Sequence, residues 1–249
     1  MPNVSTGCIK QMIKLFRQFV QTVLLLSVFG LVQADDDYVC EPFMDGKVDE
    51  SVLATMLSAA HNGHLYRIRQ DSSQVGFCVN SKLSRIEGNF SDFKGGMNLN
   101  PGRRSNGQTM VLIRADSLDT ESAFINSMIK GENFFDVENH PEVLFVSNGF
   151  RWTGEKSAVL TGDLTLRGIT RPVTFDVTLT SKDAGKVSKA RIILVKATTT
   201  INRAEFGMGK LTAMVDDNVQ LCMTVEAQKY ETIGNNSVSG ETSAADPAA

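Results

Sequence analysis

The sequence has few of the residues from which proteins build metal centres. Its 249 residues include four cysteines and three histidines, and no two cysteines have the Cys-x-x-Cys spacing. That spacing is typical of zinc ribbons and of haem attachment. We therefore expect no metal site and no fold that depends on a metal.

The chain also lacks an excess of charge of one sign. Lysine and arginine number 25 against 28 aspartate and glutamate residues, which gives a formal net charge of -3. A surface that binds nucleic acid needs a basic excess to neutralise phosphates, so nucleic acid is not expected as a partner. With 42% hydrophobic and 21% charged residues, the composition is typical of an ordinary globular protein of one or two domains.

Recognisable catalytic motifs are absent. The sequence has no Gly-x-Ser-x-Gly elbow, phosphate-binding loop or His-Glu-x-x-His helix. His61 and His64 are three residues apart but have no third ligand at a recognisable spacing. His140 precedes Pro141, which favours an extended backbone and a structural role. We expect a protein that is not an enzyme and that uses no cofactor.

The longest apolar run is too short for a stable membrane span. Lys10, Lys14 and Arg17 precede the run 23–32, which leads into Val-Gln-Ala at 32–34. A membrane-spanning helix needs about 20 apolar residues, whereas this order of segments is typical of a secretory signal peptide. The pattern predicts a signal peptide over 1–34 and a periplasmic or secreted product, with an uncleaved anchor as the alternative.

Three cysteines remain after the predicted cleavage: Cys40, Cys78 and Cys222. An oxidising compartment allows disulfides to persist, and three thiols permit one bridge and one odd thiol. We favour Cys40 with Cys78, because this bridge would tie the N-terminal extension to the main domain. The other pairings stay open, as does the case in which all three thiols are reduced.

Two segments flank the main domain. Residues 35–63 predict an extension with one helix, which Asp49 caps and Gly63 ends. Four apolar side chains share one face of that helix at helical spacing: Leu53, Met56, Leu57 and Ala60. Residues 230–249 contain small and polar side chains without an apolar period, which predicts a disordered tail.

Alternation with a period of two dominates the central part of the chain. Val75, Phe77 and Val79 share one face, as expected for a strand. Similar runs recur at 85–94, 109–115, 143–150, 158–166, 172–180, 190–201 and 218–228. One helix interrupts them at 119–131, capped by Asp119 or Thr120 and ended by Gly131. The pattern predicts an all-β fold, an antiparallel barrel of about eight strands with one inserted helix.

Several motifs of this central part resemble one known family. The most specific is Gly-Asp-Leu-Thr-Leu-Arg-Gly-Ile-Thr-Arg-Pro-Val over 162–173, and Asn-Phe-Phe-Asp at 133–136 and Asn-Arg-Ala-Glu-Phe-Gly-Met at 202–208 accompany it. In these motifs residues 64–229 resemble the YceI-like domain, a family of exported bacterial proteins. The resemblance implies a lipocalin-like barrel that holds a long isoprenoid lipid, or a quinone, for transport or storage. It is also compatible with a transient encounter with a membrane.

We expect the lipid to lie against the inward face of the barrel. The side chains predicted to form this face are Val75, Phe77, Val79, Phe90, Phe93, Ile113, Phe124, Met128, Phe134, Phe145, Leu164, Leu166, Phe175, Val177, Phe206, Leu221 and Met223. Asn133, Arg203 and Ser81 are the candidates for contact with a head group. Arg203 together with Asn202 is also expected to fix a loop through hydrogen bonds.

The sequence departs from the family pattern at two positions. Ser81 and Met128 stand where many members carry a histidine, which predicts a more apolar cavity. A rival interpretation is an extracytoplasmic interaction module in which the same side chains fill the core. Inward apolar side chains look alike in a sequence whether they line a void or fill it, and the oligomeric state is likewise left open.

Overall fold

The structure is a computed structural model that describes residues 48–99, 107–182 and 187–231. The predicted signal peptide, Cys40 and residues 232–249 of the predicted tail lie outside these residues. The division of the chain into those segments therefore stays a prediction.

Eleven strands form one antiparallel sheet in the described residues. They are β1 Leu65–Ile68, β2 Gln74–Ser81, β3 Arg85–Phe90, β4 Phe93–Asn98, β5 Gln108–Arg114, β6 Leu118–Thr120, β7 Glu142–Trp152, β8 Ser157–Leu166, β9 Ile169–Ser181, β10 Ile192–Asn202 and β11 Val215–Lys229. Each strand pairs with its neighbours in the order β1-β4-β5-β7-β8-β9-β10-β11-β2-β3-β6.

Three pairs of short strands behave as single long strands. β1 and β2 both pair with β11, and they pair in turn with β4 and β3. β5 and β6 pair with β4 and β3 in the same way. Short 3-10 turns at Gln70–Ser72 and Ala115–Ser117 separate the members of two pairs. The eleven segments are thus eight strands of a meander.

The meander closes on itself. Tyr66 of β1 pairs with Lys229 of β11, which joins the first long strand to the last. Closure removes most of the unpaired sheet edges that an open sheet would expose. The predicted antiparallel barrel of about eight strands is therefore confirmed.

The alternation of side chains places one face of each strand inside the barrel. In β9, Val173, Phe175, Val177 and Leu179 are buried, and each residue between them is exposed. β8 shows the same alternation from Ala158 to Leu166. Successive side chains of a strand point to opposite faces of the sheet, so the period of two in the sequence corresponds to an inner and an outer wall.

Helix α1, Glu50–His61, packs against the outer wall. It begins at Asp49, whose carboxylate accepts a hydrogen bond of 2.8 Å from the backbone N–H of Ser51. Its buried side chains, which include Met56, lie in one cluster with Leu65 and Met110. This apolar cluster lies outside the barrel, so α1 covers the wall and adds nothing to the interior.

Helix α2, Ala123–Lys130, follows β6. Its N-cap is Ser122, whose side chain accepts from the backbone N–H of Ile125, and the predicted caps Asp119 and Thr120 are wrong. Both of those residues belong to β6, and the Asn126 amide bridges them by accepting from the Thr120 N–H and donating to the Asp119 carboxylate, each at 2.7 Å. Neither described helix is long and apolar enough to cross a membrane.

Because antiparallel strands alternate in direction, the connections fall into two groups. One group contains the turn 82–84, α2 with residues 131–141, the turn 167–168 and the loop 203–214, and we name it the helix end. The other described connections, 153–156 and 187–191, form the opposite end.

Candidate ligand cavity

A cavity lies inside the barrel, and residues from both ends of the barrel line it. Its wall includes Phe134 and Met208 from the helix end and Leu99, Phe150 and Leu179 from nearer the opposite end. The space open to the centre of a water-sized sphere is about 150 Å³. A single water needs about 10–15 Å³ by this measure, so the cavity has room for roughly ten water-sized or methylene-sized groups.

The wall of the cavity is almost entirely apolar. Among the described residues that line it, Thr109 and Arg203 are the only two with polar side chains. Thr109 lies on β5, where its backbone N–H donates to the hydroxyl of Ser147 at 2.7 Å. A wall of this kind offers water few hydrogen bonds, and apolar cavities that offer none stay dry and take apolar guests.

Among the described residues that line the cavity, Arg203 alone carries a charge, and its guanidinium is bound by backbone carbonyls. The side chain is 2% exposed. Its N–H groups donate to four backbone carbonyls, those of Met208 and Lys210 in the following loop and those of Val215 and Asp216 at the start of β11. The carboxylate of Asp217 lies 3.0 Å from Nη2, and the guanidinium stands 5.8 Å from the centre of the Phe134 ring. Arg203 therefore fixes the loop at the helix end through four hydrogen bonds and an ion pair with Asp217.

The segment after α2 brings two aromatic rings into the wall. Phe134 is buried below Arg203, and Phe135 packs against Phe77 and Phe90 with ring centres 6.0 and 5.8 Å away. The Phe135 N–H donates to the carbonyl of Ile129, which folds this segment back onto the helix. Both rings of the Asn-Phe-Phe-Asp motif thus line the cavity.

The structure places most of the predicted inward residues in the cavity wall. Those that line it are Val75, Phe77, Val79, Phe90, Ile113, Met128, Phe134, Phe145, Leu164, Leu166, Phe175, Val177, Leu221, Met223 and Arg203. They come from both halves of the chain, and the closure of the barrel brings them together.

Five other candidates do not line the cavity. Phe93 and Phe206 are buried in the same core but lie behind the wall. Phe124 is 77% exposed in the first turn of α2, and Asn133 is partly exposed in the segment after it. Ser81 ends β2 and holds the turn 82–84: its hydroxyl donates to the Ser84 carbonyl and accepts from the N–H groups of residues 83 and 84.

Sequence reasoning missed further parts of the wall. The residues concerned include Ile68, Ile86, Met97, Leu99, Val111, Ile129, Phe135, Val143, Phe150, Leu160, Leu179, Val195, Ala197, Ile201, Val215, Val219 and Val225. Many continue a strand alternation that was already recognised. Leu160 is in phase with Leu164 on β8, and Leu179 is in phase with Val177 on β9. Extending each alternation to the strand end would have found them.

The two described cysteines lie on the outer wall. Cys78 of β2 and Cys222 of β11 are on neighbouring strands, and both are free thiols. Arg85 donates to the Cys78 sulfur at 2.7 Å. Burial, together with the neighbouring Cys78 thiol, raises the pKa of Cys222. The predicted partner Cys40 lies outside the described residues, so the bridge between Cys40 and Cys78 stays a prediction. The described residues contain no cluster of His, Cys, Asp or Glu that could hold a metal ion.

Comparison with known proteins identifies the family. The model of the YceI-like domain matches residues 66–227, which span the whole barrel. The chain belongs to the YceI-like domain family. A UPF0312 protein of Pseudomonas putida strain W619 is 36% identical over 186 residues, which cover 72% of this chain and 95% of that relative. A UPF0312 protein of Pseudomonas fluorescens strain SBW25 is 33% identical over 143 residues, 55% of this chain and 73% of the relative.

Solved structures share the fold of this YceI-like chain. BcnA of Burkholderia cenocepacia superposes with a TM-score of 0.59 at 24% identity, covering 65% of this chain and 99% of BcnA. A domain from Saccharophagus degradans, described as polyisoprenoid-binding and implicated in plant cell wall breakdown, superposes with a TM-score of 0.51 at 13% identity. That match covers 66% of this chain and 98% of the domain. At these identities the likeness concerns the fold.

Proposed function

We propose that this YceI-like chain is a binding protein that encloses the tail of a long isoprenoid lipid inside its barrel. The observation that carries the proposal is the apolar cavity inside the barrel, whose described lining residues include only two polar side chains, Thr109 and the loop-bonded Arg203. Burial of apolar surface is the force such a cavity can offer a ligand. A lipid tail is the class of ligand that gains most from it.

The size of the cavity sets a minimum length for the tail. Its 150 Å³ accommodates roughly ten methylene-sized groups. At about 0.8 kcal/mol for each buried methylene, these groups contribute about 8 kcal/mol. Association itself costs about 4–15 kcal/mol, so a short chain gains too little to stay bound. Only a tail that fills the cavity has useful affinity.

The shape of the wall suits a branched and kinked tail. Met97, Met128, Met208 and Met223 all line the cavity, and methionine side chains adapt to irregular guests because they are unbranched and flexible. The description of the Saccharophagus degradans domain as polyisoprenoid-binding supports the same class of ligand. Arg203 is engaged by the loop, so a polyprenyl chain and a quinone with an equal tail compete on nearly equal terms.

The rival interpretation, a module with a filled core, does not account for the cavity. Side chains packed at the density of protein interiors leave few voids larger than a water molecule. A void of 150 Å³ has no role in a purely adhesive domain. We further propose that the protein loses residues 1–34 and transports or stores the lipid outside the cytoplasm. The proposal includes no catalytic step.

The test is mass spectrometry of an organic extract from the protein purified without detergent. We expect a molecule with a long prenyl tail, at a substoichiometric to equimolar amount. The stripped protein is then offered a polyprenyl alcohol and a quinone of equal tail length. If no long-tailed molecule co-purifies and neither compound loads, the proposal is wrong.

A further inference from the structure

The exposed large apolar side chains of the described residues are all found at one end of the barrel. They are Leu83 at 88% exposure, Phe124 at 77%, Met214 at 52% and Leu211 at 45%. Leu83 lies in the turn 82–84, Phe124 in the first turn of α2, and the other two in the loop 203–214. Each of these connections belongs to the helix end. We name the four side chains the apolar rim.

Backbone hydrogen bonds join the parts of the rim around Leu83. The N–H of Lys82 donates to the carbonyl of Met214 at 3.0 Å, which links the turn 82–84 to the loop. Within the loop, the N–H of Met214 donates to the carbonyl of Leu211 at 2.9 Å. Leu83, Leu211 and Met214 are therefore held by one local network, and their exposure is built into the fold.

Each residue of the rim is close in the sequence to a residue that lines the cavity. Phe124 precedes Met128 by one helical turn, Leu211 follows Met208 by three residues, and both methionines line the cavity. Leu83 precedes Ile86, and Met214 precedes Val215, which are wall residues as well. The described residues that expose the most apolar surface thus lie beside the cavity wall at its helix end.

Basic side chains stand next to part of the rim. Lys82 and Lys210 are exposed neighbours of Leu83 and Leu211, and neither forms an ion pair with another described residue. The acidic neighbours Glu121 and Asp216 lie instead on the sides of Phe124 and Met214. Lysine beside exposed leucine matches an interface where acyl chains lie under anionic head groups.

We propose that the apolar rim docks on the surface of an anionic lipid bilayer and presents the helix end of the cavity to it. The proposal rests on the proposed function, because the docked cavity is there to exchange a lipid tail with the membrane. A long tail has little solubility in water, so exchange is faster when the cavity meets the bilayer directly. Four apolar side chains that enter the interface, with two lysines at the head groups, give reversible attachment and no insertion.

The experiment measures vesicle binding and lipid uptake separately. The full chain is mixed with phosphatidylcholine vesicles with or without phosphatidylglycerol, and binding is followed by co-sedimentation. Uptake of a fluorescent prenyl lipid is timed from vesicles and, in parallel, from cyclodextrin, where no membrane is involved. The rim variant combines Leu83→Ser, Phe124→Ser, Leu211→Ser and Met214→Ser. Far-ultraviolet circular dichroism and thermal melting verify that it folds.

We expect the rim variant to bind vesicles about tenfold or more weakly and to take up lipid from them correspondingly more slowly. Its loading from cyclodextrin should be unchanged. Lys82→Ser with Lys210→Ser should remove the preference for phosphatidylglycerol. The matched control Lys156→Ser with Lys189→Ser, at the opposite end, should leave it intact.

Two results would overturn the docking proposal. One is that the unsubstituted chain does not bind either kind of vesicle, which would direct attention to a protein partner. The other is that the rim variant binds vesicles as well as the unsubstituted chain. Vesicle binding through the rim without loading from either source would instead support docking and refute the proposed function, so the two failures are distinguishable.

Discussion

Val177 is the position at which a single substitution best separates a hollow barrel from a filled one. It lies on β9, faces the cavity, and pairs across the sheet with two small residues, Ala158 and Ala197. Val177→Phe adds about four methylene-sized groups to a space that accommodates roughly ten. The lost burial of the ligand amounts to about 3 kcal/mol, which corresponds to a decrease in lipid affinity of roughly a hundredfold.

The same substitution has a different effect on stability in each case. In a hollow barrel the ring enters empty space, and the free energy of unfolding should stay within about 1 kcal/mol of the original value. In a filled core the extra atoms would lower it by about 1–3 kcal/mol. Urea denaturation of the lipid-free protein measures the free energy of unfolding, and a titration with a fluorescent prenyl lipid measures the lipid affinity.

Thr178→Phe is the matched control, because it places the same ring on the exposed face of the same strand. It should leave lipid affinity unchanged. Two results would refute the reasoning for Val177→Phe. If Val177→Phe lowers stability and the unsubstituted protein binds no lipid, the core is filled. If Val177→Phe leaves the lipid affinity unchanged, the lipid tail lies elsewhere.

Three further substitutions or reactions test the described contacts. Arg203→Met should lower the free energy of unfolding by about 3–5 kcal/mol in urea denaturation, because it leaves four carbonyls without their donor and the Asp217 carboxylate without its ion-pair partner. A loss below about 1 kcal/mol would contradict this role. Burial raises the pKa of the Cys222 thiol, so iodoacetamide at pH 8 should alkylate Cys222 more slowly in the native protein than in urea. Mass spectrometry can follow the reaction, and equal rates in the two conditions would show an accessible thiol. Lys182, with Arg69, lowers the pKa of Glu226 below its ordinary 4.5, so the stability that the ionised Glu226 contributes is complete above pH 4.5 and is lost as the pH falls through its folded pKa. The melting temperature of Glu226→Gln should therefore differ from that of the original chain at pH 7 and converge with it in acid. A difference that stays constant with pH would rule out the ionised pair.

The alternation of side chains predicted fewer than half of the residues that line the cavity, but most of the residues that it assigned to the inner face do line it. A strand sends successive side chains to opposite faces whatever its partners are, so the inward set of β8 and β9 follows from the sequence itself. Local signals also predicted the two helices. The N-cap of α2 was not predicted, because Asp119 and Thr120 are as suitable for capping as Ser122 when only the local sequence is considered. The pairing of β6 with β3 places both residues in a strand and leaves Ser122 as the cap.

The role of individual polar residues depended on distant contacts. Ser81 and Arg203 were candidates for contact with a head group. In the structure Ser81 forms a hydrogen bond with the adjacent turn, and Arg203 forms hydrogen bonds with the chain that returns beside it after the loop. Phe124 has an apolar side chain of the kind found in cores, yet it is 77% exposed in the first turn of α2 and belongs to the apolar rim. No local pattern distinguishes these outcomes.

The sequence by itself therefore determined the strands, the faces they bury and the family. The tertiary structure decided that eleven segments join into eight strands, that Tyr66 meets Lys229 to close the ring, and that the enclosed space is not filled. The physical reason is that strand periodicity is a property of neighbours in the chain. Closure and cavity volume depend instead on pairings between residues more than a hundred positions apart and on the sum of all inward side chains within a fixed circumference.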